Sequence, residues 1–311
     1  MESNGWLRLE LRYLAALEAI ATTGSFGRAA DVLGYTQSAI SQQIAALERL
    51  IGEPLIDRPG GRRPVGLTPA GGLLLDHAEA ILARVRIARS QLEALSAGRA
   101  GTLRVGTYQS VGVRVLPNAA ARMAETHPDL RLEIHEACDD RDLVELVRSG
   151  SLDVTFCILP VPSGPFATEE LIEDPFTLLV PADWPGRGPT LALRELPSLT
   201  LIGYRDCRTE QRVESYLRGL GIDLNRVAYA DDNAIIQAMV AEGRGVALLT
   251  RLSIDHADPR TTTVELGGCV PPRRVALSWH VDQRLAPAVQ AFVAAARDAA
   301  LTWREGAGSA A

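Results

Sequence analysis

The 311-residue chain reads as an α/β protein in two parts, a small helical head and a larger strand–helix body, joined by one long helix. Three observations predict this. Residues 9–52 hold three runs with helical apolar spacing, each stopped by a glycine. Residues 69–97 carry no turn signal after Gly71–Gly72. From Leu103 onward, short apolar runs alternate with helical stretches almost to the C-terminus.

Length allows two domains, one of them subdivided. No apolar run reaches membrane length, and MESNGWLRLELR lacks the basic-then-apolar pattern of a secretory leader, so a cytoplasmic protein is expected, with no membrane partner. Cys138, Cys157, Cys207 and Cys269 show no CxxC spacing, and the five histidines have no metal-ligand spacing. Free thiols, no metal and no cofactor are expected; Cys207, in the polar stretch YRDCRTE, is the one thiol placed where redox chemistry could act. The net charge of −6 is unevenly spread. Residues 1–99 hold 11 arginines against 10 acids, and the remainder 21 against 28. A near-neutral head on an acidic body suits a nucleic-acid reader that uses a few placed arginines.

The first run, Leu9 to Thr23, puts Leu11, Leu14, Leu17 and Ala21 on one face. Gly24 stops it, Ser25 caps FGRAADVL, Gly34 ends that helix, and Thr36 is placed to cap a third helix running to Gly52. Two helices joined by a short glycine-containing turn match helix-turn-helix geometry. In the third helix Ile40, Ile44, Leu47 and Ile51 recur at core spacing. Its other side offers Ser38, Ser41, Gln42, Ala45 and Arg49, with Gln37 in the first turn. Gln can bond adenine in the major groove, Ser can bond bases or phosphates, and small side chains permit close approach; a solvated face is the plainer alternative. Next, Leu55–Ile56 and Val65–Leu67 flank a Pro/Gly/Arg tip at 58–64, a hairpin wing placing Arg58, Arg62 and Arg63 beside the DNA backbone.

The run GSFGRAADVLGYTQSAISQQIAALERLIGEPLIDR, followed by LTPAGG, resembles the winged helix-turn-helix of the LysR-type transcriptional regulators. The resemblance implies that Arg28, Thr36, Gln37, Ser38, Ser41 and Gln42 face DNA together with the wing arginines. Gln42 stands where the family frequently has Arg.

In the connector, Leu74, Ala78, Ile81, Val85, Ala88, Leu92 and Leu95 step by four and three. That heptad spacing predicts a two-helix dimer seam; packing on its own domain is the alternative. The family's linker helices pair dimers, and the dimers often pair into tetramers.

In the body, strands are expected at 103–107, 130–137, 153–159, 176–181, 199–204, 226–230, 245–250 and 275–280, as parallel-sheet units. The resemblance, looser here, implies a two-lobed effector domain like a periplasmic solute-binding protein. The expected organisation is a DNA-binding domain at 1–68, a linker helix at 69–98, and an effector domain at 99–303 with a flexible tail at 304–311. Its lobes are 102–174 plus 281–303, and 175–280. Ligands of open α/β sheets bind beyond strand ends against helix N-termini, which favour anions. Thr107, Gln109, Ser110, Tyr204, Asp232 and Asn233 are candidates there, though such residues also serve as plain caps. Arg208 is the candidate partner for a carboxylate.

The expected function is therefore a regulator that binds double-stranded promoter DNA as a homodimer or homotetramer. An anionic small-molecule effector would control it, and RNA polymerase would be a further partner if it activates. A secreted solute-binding protein shares the two-lobed fold but lacks the helix-turn-helix. An enzyme finds no GxSxG, P-loop or Cys–His arrangement to support it.

Overall fold

A computed structural model describes residues 6–57, 65–96, 101–185, 188–205, 207–283 and 286–308, in two compact units that divide after Arg89. In the first unit α1 (Leu11–Thr23), α2 (Phe26–Leu33) and α3 (Gln37–Ile51) precede the strand pair β1 (Ile56–Asp57) and β2 (Gly66–Leu67). Gly24, Gly34 and Gly52 close the three helices at φ of 63°, 69° and 86°, a left-handed cap that glycine adopts without a Cβ penalty. Ser25 and Thr36 accept backbone N–H bonds from Arg28 and Ala39, as capping residues should.

Leu17, Ile20, Ala29, Ile40, Ile44 and Leu47 form the head's core. The first helix is rotated from the expected face: Leu14, Leu17 and Ile20 are buried, while Leu11 is exposed. Glu48 Oε1 accepts N–H bonds from Leu55 (2.9 Å) and Ile56 (3.3 Å), tying the hairpin to the end of α3. Thr68 Oγ1 donates to the Pro54 carbonyl at 2.7 Å and accepts from Gly71 N at 3.0 Å. A Cβ on Gly71 would lie 2.0 Å from the Leu55 carbonyl oxygen, so LTPAGG is a docking motif between helix and hairpin.

The long helix α4 (Pro69–Ser96) corrects part of the expected seam. Leu74 packs into the head's core, and Ala78 packs with Leu82 against Leu14. Arg86 reinforces that contact through two hydrogen bonds to Glu18, at 3.3 and 2.7 Å. The early heptad positions thus serve the chain's own domain, because α1 is there to cover them. Ile81, Val85, Ala88 and Leu92 remain exposed; the Leu95 side chain lies outside the described residues.

In the second unit, β3 (Thr102–Thr107) leads to α5 (Gln109–Arg114) and α6 (Leu116–Thr126). Then come β4 (Arg131–Glu136), α7 (Asp140–Arg148), β5 (Val154–Ile158), β6 (Phe166–Asp174) and β7 (Phe176–Pro181). The chain continues through β8 (Leu201–Gly203), α8 (Arg208–Gly219), β9 (Arg226–Tyr229), α9 (Asn233–Ala241) and β10 (Ala247–Thr250). It ends with β11 (Thr261–Glu265), β12 (Arg273–His280) and α10 (Pro287–Gly308).

One lobe holds the five-stranded sheet β4-β3-β5-β12-β6, and the other holds β10-β7-β11 and the pair β8-β9. Only the β3-β4, β3-β5 and β8-β9 pairs of these are parallel. The remaining pairs are antiparallel, so the expected array of parallel-sheet units is corrected to a mixed one. β6 and β11, absent from the expected strands, are edge strands whose sequences FATEELIED and TTTVE are largely polar. They lack the apolar run of a strand buried on both faces. β12 sits between β5 and β6, so the second lobe ends before Arg273 rather than at 280. α10 packs on α6 and continues through much of the expected tail. Phe156 and Phe292 meet edge-to-face at 6.1 Å within the first lobe's core.

Candidate functional site

Two surfaces carry the candidate residues. The first is the outer face of α3. With Ile40, Ile44 and Leu47 fully buried, the 3.6-residue period turns Gln37, Ser38 and Gln42 to the surface, with Ser41 half-buried beside them. Gln37, Ser41 and Gln42 make no side-chain hydrogen bond to any described residue, which leaves their donors and acceptors free for an outside partner. Thr36 and Ser38 share a hydroxyl–hydroxyl bond of 3.0 Å, and the Thr36 oxygen also caps α3. Arg28 is exposed and donates to the Thr23 carbonyl. That bond fixes its guanidinium at the α1–α2 corner. Gln43, next to Gln42 in sequence, is buried instead, and its Oε1 has no partner among the described residues. The wing arginines Arg58, Arg62 and Arg63 lie outside the described residues.

The second surface is a cleft of about 680 Å³ between the two lobes of the body. Six of the seven expected residues meet the first lobe or the second around it: Gln109, Ser110, Tyr204, Arg208, Asp232 and Asn233. Thr107 does not line it. The last residue of β3 is buried, with its hydroxyl directed to the Tyr108 carbonyl at 3.4 Å.

Most of these side chains bond across the cleft to one another. Gln109 Nε2 donates to Asp232 Oδ2 at 2.5 Å, and Asn233 N donates to Gln109 Oε1 at 2.9 Å. Asp232 also caps α9 through Ile235 N (3.0 Å). Tyr204 donates its hydroxyl to Asn233 Oδ1. Arg208 reaches the other lobe, pairing with buried Asp140 at 3.3 Å and donating to the Pro160 carbonyl at 2.8 Å. Its expected role as a free carboxylate partner is therefore corrected: Asp140 already occupies it.

The sequence reading missed Arg273. Buried at the start of β12, it donates to Asp174 Oδ2 through Nε (3.0 Å) and Nη2 (2.5 Å), and to Ser110 Oγ at 3.0 Å. Its guanidinium also lies 5.4 Å from the centre of the Tyr108 ring, within cation–π range. Burial acts against its charge, but Asp174 outweighs that and its pKa is raised. Nothing local in PPRRVALSW marks Arg273, because Asp174 is 99 residues away.

Burial pushes the Asp140 carboxyl up, only partly offset by the Ile158 N–H and Arg208. Glu210, in the first turn of α8, is pushed up by burial to about 7 despite its bond to Arg226. Burial also pushes the Cys207 thiol up, with N–H donors of α8 and Arg273 pulling the other way. Tyr108 and Thr209 line the cleft, but their hydroxyls are buried away from it and have no hydrogen-bond partner among the described residues.

A helix-turn-helix with its hairpin, followed by a two-lobed body around a polar cleft, defines a class: DNA-binding regulators that carry a small-molecule-binding domain. The chain belongs to the LysR family, matching the bacterial regulatory helix-turn-helix model of that family over residues 11–72 and the LysR substrate binding domain over 96–301. It is 32% identical over 279 residues to a probable hydrogen peroxide-inducible genes activator of Mycobacterium avium, covering 86% of each chain. It is 30% identical over 307 residues to the transcriptional regulator CbbR of Rhodospirillum rubrum, covering 94% of this chain and 97% of that one. Among solved structures, a cysteine mutant of Corynebacterium glutamicum OxyR superposes with a TM-score of 0.60 at 27% identity, over 97% of this chain and 95% of the other. The CbnR–target DNA complex shares the fold, with a TM-score of 0.58 at 21% identity, over 94% of this chain and all of that one. The protein is thus a LysR-type DNA-binding transcriptional regulator with an effector-binding domain, and members of this family are regulators rather than enzymes. Among the described residues no helix is long and apolar enough to cross a membrane.

Proposed function

We propose that the chain reads promoter DNA in the cytoplasm as a homodimer, through α3 and the hairpin arginines, and that a small molecule in the cleft controls it. The observation that carries the DNA reading is the unpartnered outer face of Gln37, Ser41 and Gln42 on a helix whose opposite face is fully buried. Dimerisation rests on Ile81, Val85, Ala88 and Leu92, an exposed apolar stripe stepping by four and three along α4. Pairing of dimers into tetramers, and contact with RNA polymerase at activated promoters, extend family behaviour to this chain.

Selection of bound fragments from random duplex DNA by the full chain tests the reading. The expected product is an inverted repeat with half-sites about 10–10.5 base pairs apart, or a multiple of that. Enrichment of unrelated sequences without two-fold symmetry would overturn it. The relatives named for hydrogen peroxide suggest thiol chemistry as a second reading, and Cys207 does line the cleft. The small-molecule reading is preferred because burial opposes the thiolate that reacts with oxidants.

A further inference from the structure

We infer that Arg208, Arg212 and Tyr216, spaced four apart along α8, form a latch that fixes the angle between the two lobes of the body. The inference goes beyond the small-molecule reading, because it concerns how the lobes are held before anything binds.

The stripe follows from the helix period. Thr209, Val213 and Leu217 are the buried residues of α8, and the last two pack into the second lobe's core. Residues 208, 212 and 216 each precede one of these, so they share the adjoining strip of helix surface. Arg208 Nη2 donates to the Pro160 carbonyl at 2.8 Å, and its Nη1 donates to Asp140 Oδ2 at 3.3 Å. Arg212 Nη1 donates to the Leu159 carbonyl at 2.9 Å, and the Tyr216 hydroxyl to the Cys269 carbonyl at 3.0 Å. Asp140, Leu159 and Pro160 belong to the first lobe. Cys269 lies in the segment 266–272 that leads from β11 back to β12.

Surface arginines that bond whatever lies nearest are the plainer alternative, but these acceptors surround a connection. Two stretches of chain join the lobes: Pro175 between β6 and β7, and residues 266–272. Lobes joined in this way can turn about their connections. The first connection is held by main-chain donors, with Arg251 N reaching the Pro175 carbonyl at 3.1 Å and Leu252 N the buried Asp174 Oδ1 at 3.0 Å. The second is held by the α8 stripe. Tyr216 grips the segment itself, while Arg212 and Arg208 grip Leu159 and Pro160, and Leu159 N donates to the Arg274 carbonyl, in the first turn of chain beyond it, at 2.9 Å. Arg212 and Tyr216 are exposed, so water can replace their bonds and release this connection at little cost. Arg208 also lines the cleft, which puts one end of the latch against any molecule bound there.

Hydrogen exchange of the full chain, read amide by amide with no small molecule added, tests the latch. The informative amides are Asn233 and Leu252, whose N–H groups donate across the lobes to Gln109 Oε1 and Asp174 Oδ1. Neither donates to α8, so their exchange reports movement of the lobes rather than the local loss of a contact. The variant is Arg212→Ala with Tyr216→Phe, which leaves the buried Arg208–Asp140 pair in place so that the body still folds. Both amides should exchange roughly tenfold faster than in the parent, as closure loses one or two surface hydrogen bonds. The β10 amides should exchange as before. Arg218→Ala, on the same helix but paired with Asp223 inside the second lobe, should leave every one of these amides unchanged. Parent-like exchange at Asn233 and Leu252 in the double variant would overturn the latch. Equal acceleration across β10 would overturn it too, by showing a generally loosened lobe. Either result leaves the small-molecule reading of the cleft standing, because nothing is bound during the measurement.

Discussion

The outer face of α3 and the inter-lobe cleft are both polar, but they are polar in opposite ways. On α3 the polar groups stand free: the side chains of Gln37, Ser41 and Gln42 make no hydrogen bond to any described residue. In the cleft nearly every charged group is answered from within, often across the lobes, as in Arg208–Asp140 and Gln109–Asp232. A face that reads an extended surface can expose its groups to water at little cost before DNA arrives. A cleft that removes groups from water must satisfy them from the protein itself. Substitutions in the two regions should therefore fail differently, one in binding and the other in folding.

The largest expected effect falls in the cleft. Arg273→Met leaves Asp174, fully buried, with the Leu252 N–H as its remaining described partner. Stranding a buried charge costs about 3–5 kcal/mol. Thermal or urea unfolding should show a correspondingly destabilised body. A parent-like unfolding curve would mean that Asp174 is neutral and the pair is not holding β6 against β12.

The contrast sharpens with Ser41→Glu. The new carboxylate lies among groups that face bases and phosphates, so specific DNA affinity should fall by about 100-fold or more, from lost contacts of roughly 1–3 kcal/mol each and added repulsion from the phosphates. Because the Ser41 side chain makes no bond to any described residue of the head, the unfolding curve should stay where it was. Unchanged binding in a gel shift would remove Ser41 from the DNA face; a lowered melting point would show that this face of α3 is not free.

That same contrast explains how much could be read from residues alone. The head's caps, glycine stops and core face are local: Ser25, Thr36 and Gly52 sit next to the helices they end, and Ile40, Ile44 and Leu47 recur every three or four residues. The cleft could be approached from strand ends, and Gln109, Ser110 and Asn233 do line it. Its electrostatics could not, because Arg273 and Asp174, or Arg208 and Asp140, meet only after the chain has folded. The α4 pattern shows a third limit. A heptad records that a face is covered, not by what, so Leu74 and Ala78 look like partner contacts although α1 covers them. The mixed sheet was missed at β6 and β11 for a related reason, since edge strands need no continuous apolar run.

The smallest expected effect tests whether satisfaction from within is complete. Glu210 accepts the Tyr204 N–H and pairs with Arg226, which also bonds Glu214, yet burial holds its pKa at about 7 rather than the ordinary 4.5. An acid with a raised folded-state pKa binds its proton more tightly when folded. Its stabilising contribution is therefore full below about pH 4.5 and declines as pH rises toward 7, on the order of 1–3 kcal/mol in all. Glu210→Gln keeps a carbonyl for the Tyr204 N–H and removes the titration. Between pH 4.5 and 7 its stability should fall less steeply than the parent's in urea unfolding. If the two slopes match, Arg226 satisfies the carboxylate fully and Glu210 ionises as a surface acid does; if they differ as expected, satisfaction from within is incomplete at this residue, and burial outweighs its partners near pH 7.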